Sequence, residues 1–258
     1  MMKKLFSLVL AAMLLMGVCA AIAEGDLEYV QGKGTLVVGI TDFAPMDYLQ
    51  DGEWIGFDAD MAKAFAASLG VKAEFVEIDW DNKLLELANK SIDCIWNGMT
   101  LRPEITDATA CSKPYANNAQ VIVVPKAVAD QYQTAEAAAK LQFAVEAGSA
   151  GQDQAEAYGF SYTPVNAQTD AVMEVKAGSS DAAIIDALMA AAMVGEGTSY
   201  EDLTYTIGLN SEEYGVALRA GSELAEKLNE FFAASWKDGT MQACAETYGV
   251  SAAIIPQE

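Results

Sequence analysis

Residues 35–70 read TLVVGITDFAPMDYLQDGEWIGFDADMAKAFAASLG, and the order of residue types in this stretch sets the architecture. Residues 36–40 are a continuous apolar run of strand length, followed by a turn carrying Asp42, Phe43 and Pro45. A second turn, Asp51-Gly52-Glu53, leads into Gly56-Phe57-Asp58, where Asp58 is expected to cap the helix that follows. In that helix Met61, Phe65 and Leu69, with Ala62 and Ala66, make one apolar stripe that Gly70 ends. A strand, a polar and aromatic loop and a helix form one step of an α/β sheet. The loop leaves the carboxyl end of the strand, the edge at which open α/β sheets bind ligands.

The alternation continues downstream. Strands are expected over 73–78, 92–96, 120–124, 142–145, 182–185 and 214–218, and helices over 82–88, 152–157, 169–177, 224–234 and 241–248. The helix over 82–88 is expected to pack through Leu84, Leu85 and Ala88. Residues 135–140 read as an exposed helical turn. Strand and helix in alternation indicate mostly parallel sheets covered by helices, and no internal repeat is evident.

The first 23 residues stand apart. Lys3 and Lys4 precede the apolar run 5–18, and Ala21-Ile22-Ala23 is a small-residue cleavage signal before Glu24. The run is too short for a comfortable membrane span, and the chain is expected to be exported. Cys19 offers the alternative of a lipid-modified cysteine, which the preceding Met16-Gly17-Val18 fits poorly. With 15 Lys+Arg against 37 Asp+Glu the formal net charge is −22. Such a charge excludes the basic patches that nucleic acid and anionic membranes require. It suits cationic or zwitterionic ligands, and equally a plain solubilising surface. The absence of histidine removes a Ser-His-Asp triad and every His-containing metal site. Cys94, Cys111 and Cys244 have no metal-binding or paired spacing, so neither a metal nor a disulfide framework is indicated. No cofactor is expected.

Several further strings accompany GFDADMAKAF at 56–65. They are Ile92-Asp93-Cys94-Ile95-Trp96-Asn97-Gly98-Met99-Thr100, Ser112-Lys113-Pro114-Tyr115, Val145-Glu146-Ala147-Gly148-Ser149, Asp181-Ala182-Ala183-Ile184-Ile185-Asp186, Tyr214-Gly215-Val216-Ala217 and Asp238-Gly239-Thr240. In order and spacing they resemble the polar amino-acid binding proteins, the extracytoplasmic solute receptors of ABC importers, across nearly the whole exported chain. The resemblance implies a two-lobed periplasmic-binding-protein fold of type II, with 24–116 and 216–258 in lobe one and 117–215 in lobe two. Hinge segments would lie near 116–119 and 212–215. It further implies capture of a small amino acid or related amine, delivery to a membrane permease, and no enzymatic step.

Asp186 ends an apolar strand, where a carboxylate pairs well with an ammonium; capping the helix that follows is the competing use. The resemblance assigns it the ligand ammonium, with help from the Gly98 carbonyl and the Thr100 hydroxyl, and with Asn97 facing the cleft beside them. Backbone donors of Thr100, and of the helix start at Ser149 and Ala150, would meet a ligand carboxylate. Phe43 and Trp80 would flank the ligand side chain, and the acidic neighbours Asp79 and Asp81 argue against deep burial of Trp80. Trp96 reads as core, while Met46 and Tyr48 are open between core and site.

One departure stands out. The arginine with which the family clamps the α-carboxylate falls at Ile105 in TLRPEITDATACSKPY. Arg102, three residues earlier, is the candidate replacement, and a solvated loop arginine is the alternative. Two other readings use the same fold: a cyclohexadienyl or arogenate dehydratase with Glu146 or Asp186 as general acid, and a soluble sensor domain. The missing arginine counts against the first. A monomer is expected.

Overall fold

The computed structural model describes residues 25–257, so the expected leader and cleavage site, with Cys19, lie outside the described residues. Thirteen strands are described: β1 (Thr35–Ile40), β2 (Tyr48–Gln50), β3 (Glu53–Ile55), β4 (Lys72–Glu77), β5 (Cys94–Thr100), β6 (Ala110–Cys111), β7 (Ala116–Asn118), β8 (Gln120–Pro125), β9 (Gln142–Glu146), β10 (Ser161–Val165), β11 (Ala182–Asp186), β12 (Leu203–Gly208) and β13 (Glu212–Leu218). They build two main sheets. One runs β4-β1-β5-β13-β6, with β7 paired to β13, and the other runs β10-β9-β11-β8-β12. Each has a parallel core, β4-β1-β5 and β10-β9-β11, extended by antiparallel neighbours. The chain passes from the first sheet to the second between β7 and β8 and returns between β12 and β13. The fold is the type II binding-protein architecture, an α/β sheet flanked by helices on either side of a cleft.

The strands that the apolar runs foretold are the buried ones. All of Cys94–Met99, Val121–Val124 and Ala182–Asp186 are buried, as expected for sheet centres covered on both faces. The short β2, β3, β6 and β7, and the longer β10 and β12, carried no such signal. β10 lies at the edge of its sheet, includes Pro164 and is largely exposed, and β12 is an edge strand of mixed burial.

The opening helix is Phe57–Ser68, and its N-cap is Gly56 rather than Asp58. Gly56 has φ +129, and a Cβ there would sit 2.1 Å from the Met46 carbonyl oxygen, so the chain turns two residues earlier than a capping aspartate would place it. Asp58 is thereby carried inside the helix and buried. Its Oδ2 accepts from the Gly98 N–H at 2.6 Å and from the Tyr115 hydroxyl at 2.7 Å. Burial pushes its carboxyl up to about 7. The helix expected over 82–88 begins with a 3-10 turn, Trp80–Asn82, and continues as Lys83–Ala88. Its buried residues are Lys83 and Leu87, with Leu84 partly buried against the same core, while Leu85 is exposed. Cys94, Cys111 and Cys244 are free thiols. No helix among the described residues is long and apolar enough to cross a membrane.

Candidate functional site

Carboxyl ends of strands from both sheets meet across a cavity with about 360 Å³ of empty space, part of it open to solvent. From the first sheet's side come Trp80, Lys83, Asn97, Gly98, Met99, Thr100, Arg102 and Ile105; from the second come Glu146, Ser149, Ala150, Gln168 and Asp186. The structure thus brings together Trp80, Asn97, Gly98, Thr100, Arg102, Ser149, Ala150 and Asp186. It does not bring Phe43 to the wall. That ring is 2 % exposed, lies under Gly98 and meets Tyr214 edge-on, and a Cβ on Gly98 would come within 2.2 Å of it. Trp80 lines the cavity but is only 7 % exposed, so its acidic neighbours do not hold it in solvent. Met46 is core, Tyr48 packs edge-on against Tyr248 away from the cavity, and Trp96 is core.

Asp186 is the hub. The residue occupies the N-cap position of the helix Ala187–Met193, yet its carboxylate makes no capping bond. Instead Oδ1 accepts from Asn118, from Gln120 at 3.0 Å and from the Tyr214 hydroxyl, while Oδ2 accepts from Gln168. Asn118 and Gln120 donate also to Glu212 Oε1, at 2.7 and 2.8 Å, and Thr100 Oγ1 donates to the same oxygen at 3.0 Å. Two buried carboxylates therefore share two amide donors. Burial, and then the charge of Glu212, raise Asp186 to about 7. Glu146, at the end of β9, is 2 % exposed and lines the same cavity, and its Oε1 has no hydrogen-bond partner. Burial, followed by the charge of Asp186, pushes it up to about 8.

The cations of the cavity are already engaged. The Arg102 guanidinium reaches across the cleft, donating to the carbonyls of Gly148 at 2.7 Å and Ser149 at 3.3 Å and pairing with Asp153 and Glu104. It is neither a solvated loop arginine nor a free clamp. Lys83, buried by the turn before it, donates to Trp80 O at 3.0 Å and Gly148 O at 2.8 Å, and its ammonium stands 5.0 Å from the Trp80 ring centre. Burial and then the nearby Arg102 charge lower it to about 8. The Asn97 amide is turned onto Thr41, donating to its hydroxyl and accepting from its N–H, both at 2.8 Å. At the helix start Ser149 Oγ caps the Gln152 N–H at 3.2 Å, and Gln152 Oε1 accepts from the Gly148 N–H at 3.0 Å.

Neither Lys83 nor Gln168 was legible as a cavity residue, because both fall on helical segments whose polar positions read as solvent-facing. Gly148 has φ +67, and a Cβ there would meet the Asp81 backbone at 2.9 Å across the cleft. Gly148→Ala is therefore expected to hold the two sides apart and weaken ligand binding by about tenfold, and the left-handed backbone should cost the variant a few degrees in Tm. Calorimetric titration checks this; unchanged affinity would show that the contact does not limit closure.

Residues 36–251 match the family model described as bacterial extracellular solute-binding proteins, family 3. The chain belongs to that family. Among its relatives, the L-cystine-binding protein TcyJ of Escherichia coli K12 is 29 % identical over 230 residues, covering 87 % of this chain and 86 % of TcyJ. The crystal structure of a P235GK mutant of ArgBP from T. maritima superposes with a TM-score of 0.81 at 32 % identity, covering 86 % of this chain and 98 % of that one. A cyclohexadienyl dehydratase of Pseudomonas aeruginosa is 30 % identical over only 115 residues, 44 % of this solute-binding protein and 43 % of the enzyme. The match over nearly the whole chain is to binding proteins, and the dehydratase reading is set aside.

Proposed function

We propose that this solute-binding protein captures a small amino acid or related amine between its two closing lobes, outside the cytoplasm, and delivers it as a monomer to an ABC permease. The lobes are those of the two sheets, moving about the β7–β8 and β12–β13 crossings. The observation that carries the reading is Asp186. A buried carboxylate at a strand end, built into a cleft and not used as a helix cap, is an ammonium site. Around it the reading assigns Thr100 and the Gly98 carbonyl to the same ammonium and Trp80 to the ligand's carbon chain. Ser149 and Ala150 serve as the opposing wall, and Arg102 is the residue that meets that wall on closure. Phe43 acts from behind Gly98 as support. The reading is in keeping with relatives whose names and titles specify cystine and arginine.

A thermal-shift screen of the twenty amino acids and of small aliphatic amines tests it. A ligand bound only by the native protein at a hundred times its Kd should add about 2.7 kcal/mol of apparent stability, several degrees in Tm. No shift with any member of the panel would refute the proposal.

A further inference from the structure

Among the described residues that line the cavity, no cation is free to meet a carboxylate. Ile105, fully buried, lines the wall with an aliphatic side chain. Arg102 is spent on two carbonyls and two acidic side chains, and Lys83 on two carbonyls. At the helix start beside Ser149 two donors are already taken, the Gly148 N–H by Gln152 and the Gln152 N–H by Ser149. On the other side of the account stand Asp186 and Glu146. Glu146 lines the cavity as a buried carboxyl whose Oε1 has no donor, and leaving a buried polar oxygen unpartnered costs free energy. The formal net charge of −22 draws cations toward the cleft.

We propose that the ligand is a small organic dication lacking a carboxylate, an alkyl diamine or a guanidinoalkyl amine, with one cationic end on Asp186 and the other on Glu146. This rests on the function proposed above and narrows its ligand class. The carbon chain between the two ends passes the Trp80 face and the Ile105 side chain, both apolar. A parent amino acid would bring its carboxylate toward Ile105 and toward two acidic residues. Desolvating that group without a partner costs affinity, so the cavity discriminates by repulsion as well as by attraction.

Matched pairs test the proposal by calorimetric titration of the purified protein: cadaverine against lysine, putrescine against ornithine, and agmatine against arginine. The decarboxylated member of at least one pair is expected to bind at least about tenfold more tightly than its parent. Glu146→Gln, which keeps the shape of the side chain, should weaken that diamine by about tenfold or more while leaving the monoamine of equal chain length within about twofold. Circular dichroism and the melting curve of the variant show whether it is folded. If a parent amino acid binds as tightly as its decarboxylated partner, or if Glu146→Gln leaves diamine affinity unchanged, the dication inference falls while amino-acid capture stands. If neither amines nor amino acids bind, both fall.

Discussion

Asp186→Asn is expected to weaken ligand binding by at least about a hundredfold, roughly 2.7 kcal/mol, the scale on which a desolvated charge-assisted contact fails when one partner loses its charge. The geometry explains why asparagine cannot substitute. The carboxylate accepts from Asn118, Gln120 and Tyr214 on one oxygen and from Gln168 on the other, so an amide nitrogen placed there would face a donor. Stability should move differently. Asp186 shares its donors with Glu212 and raises the carboxyl of Glu146, so removing its charge relieves like-charge repulsion. Relief of that repulsion offsets the donor left facing the new amide, so lost binding in a variant that melts close to the original separates a ligand role from a folding role. Titration of the best ligand against both proteins measures it, and equal affinities would remove the ammonium assignment.

The second large effect concerns pH. Asp47, Asp58, Glu146 and Asp186 are buried carboxyls, each raised above its ordinary range first of all by burial. For an acid raised on folding, the native protein keeps a proton that the unfolded chain releases above about pH 4. Stability is therefore full at the acidic end and is lost as pH rises toward about 7 for Asp58 and Asp186 and about 8 for Glu146. Each retained proton contributes about 1.4 kcal/mol per pH unit, so the loss between pH 5 and 8 should reach several kcal/mol. Above pH 8 the lowered Lys83 acts in the opposite direction, because its native form has already shed the proton that the unfolded chain still holds. Urea unfolding of the ligand-free protein at several pH values measures the slope. Glu146→Gln should flatten it and raise stability at pH 8. A stability that climbs from pH 5 to 8 would contradict the account of these buried groups.

Much of this could be read from residue order. Strands buried on both faces announce themselves as unbroken apolar runs, and β5, β8 and β11 all do so. Edge strands do not, and Pro164 argued against the strand that contains it. Asp186 was legible because a carboxylate after an apolar run is conspicuous, whereas its partners Asn118, Gln120 and Gln168 come from distant segments that only the fold brings together. Phe43 illustrates the opposite failure. An aromatic ring in a loop at the right sheet edge looks like a cavity wall, but Gly98, lacking a side chain, lets that ring slide beneath the floor. That isoleucine stands at position 105, where the resemblance places an arginine, was plain in the sequence. What Arg102 does instead could not be known without the carbonyls of Gly148 and Ser149 opposite it.

Those carbonyls bear on how the protein divides its time between shapes. Lys83 and Arg102 both donate to Gly148 O, a bond pattern that exists only when the two sides of the cleft are together. These bonds lower the free energy of the shut form itself. The apparent Kd equals the intrinsic one divided by the fraction of molecules already competent, so each increase in that fraction returns affinity otherwise spent on closure. The same bonds reduce the difference in shape between the loaded and the unloaded protein.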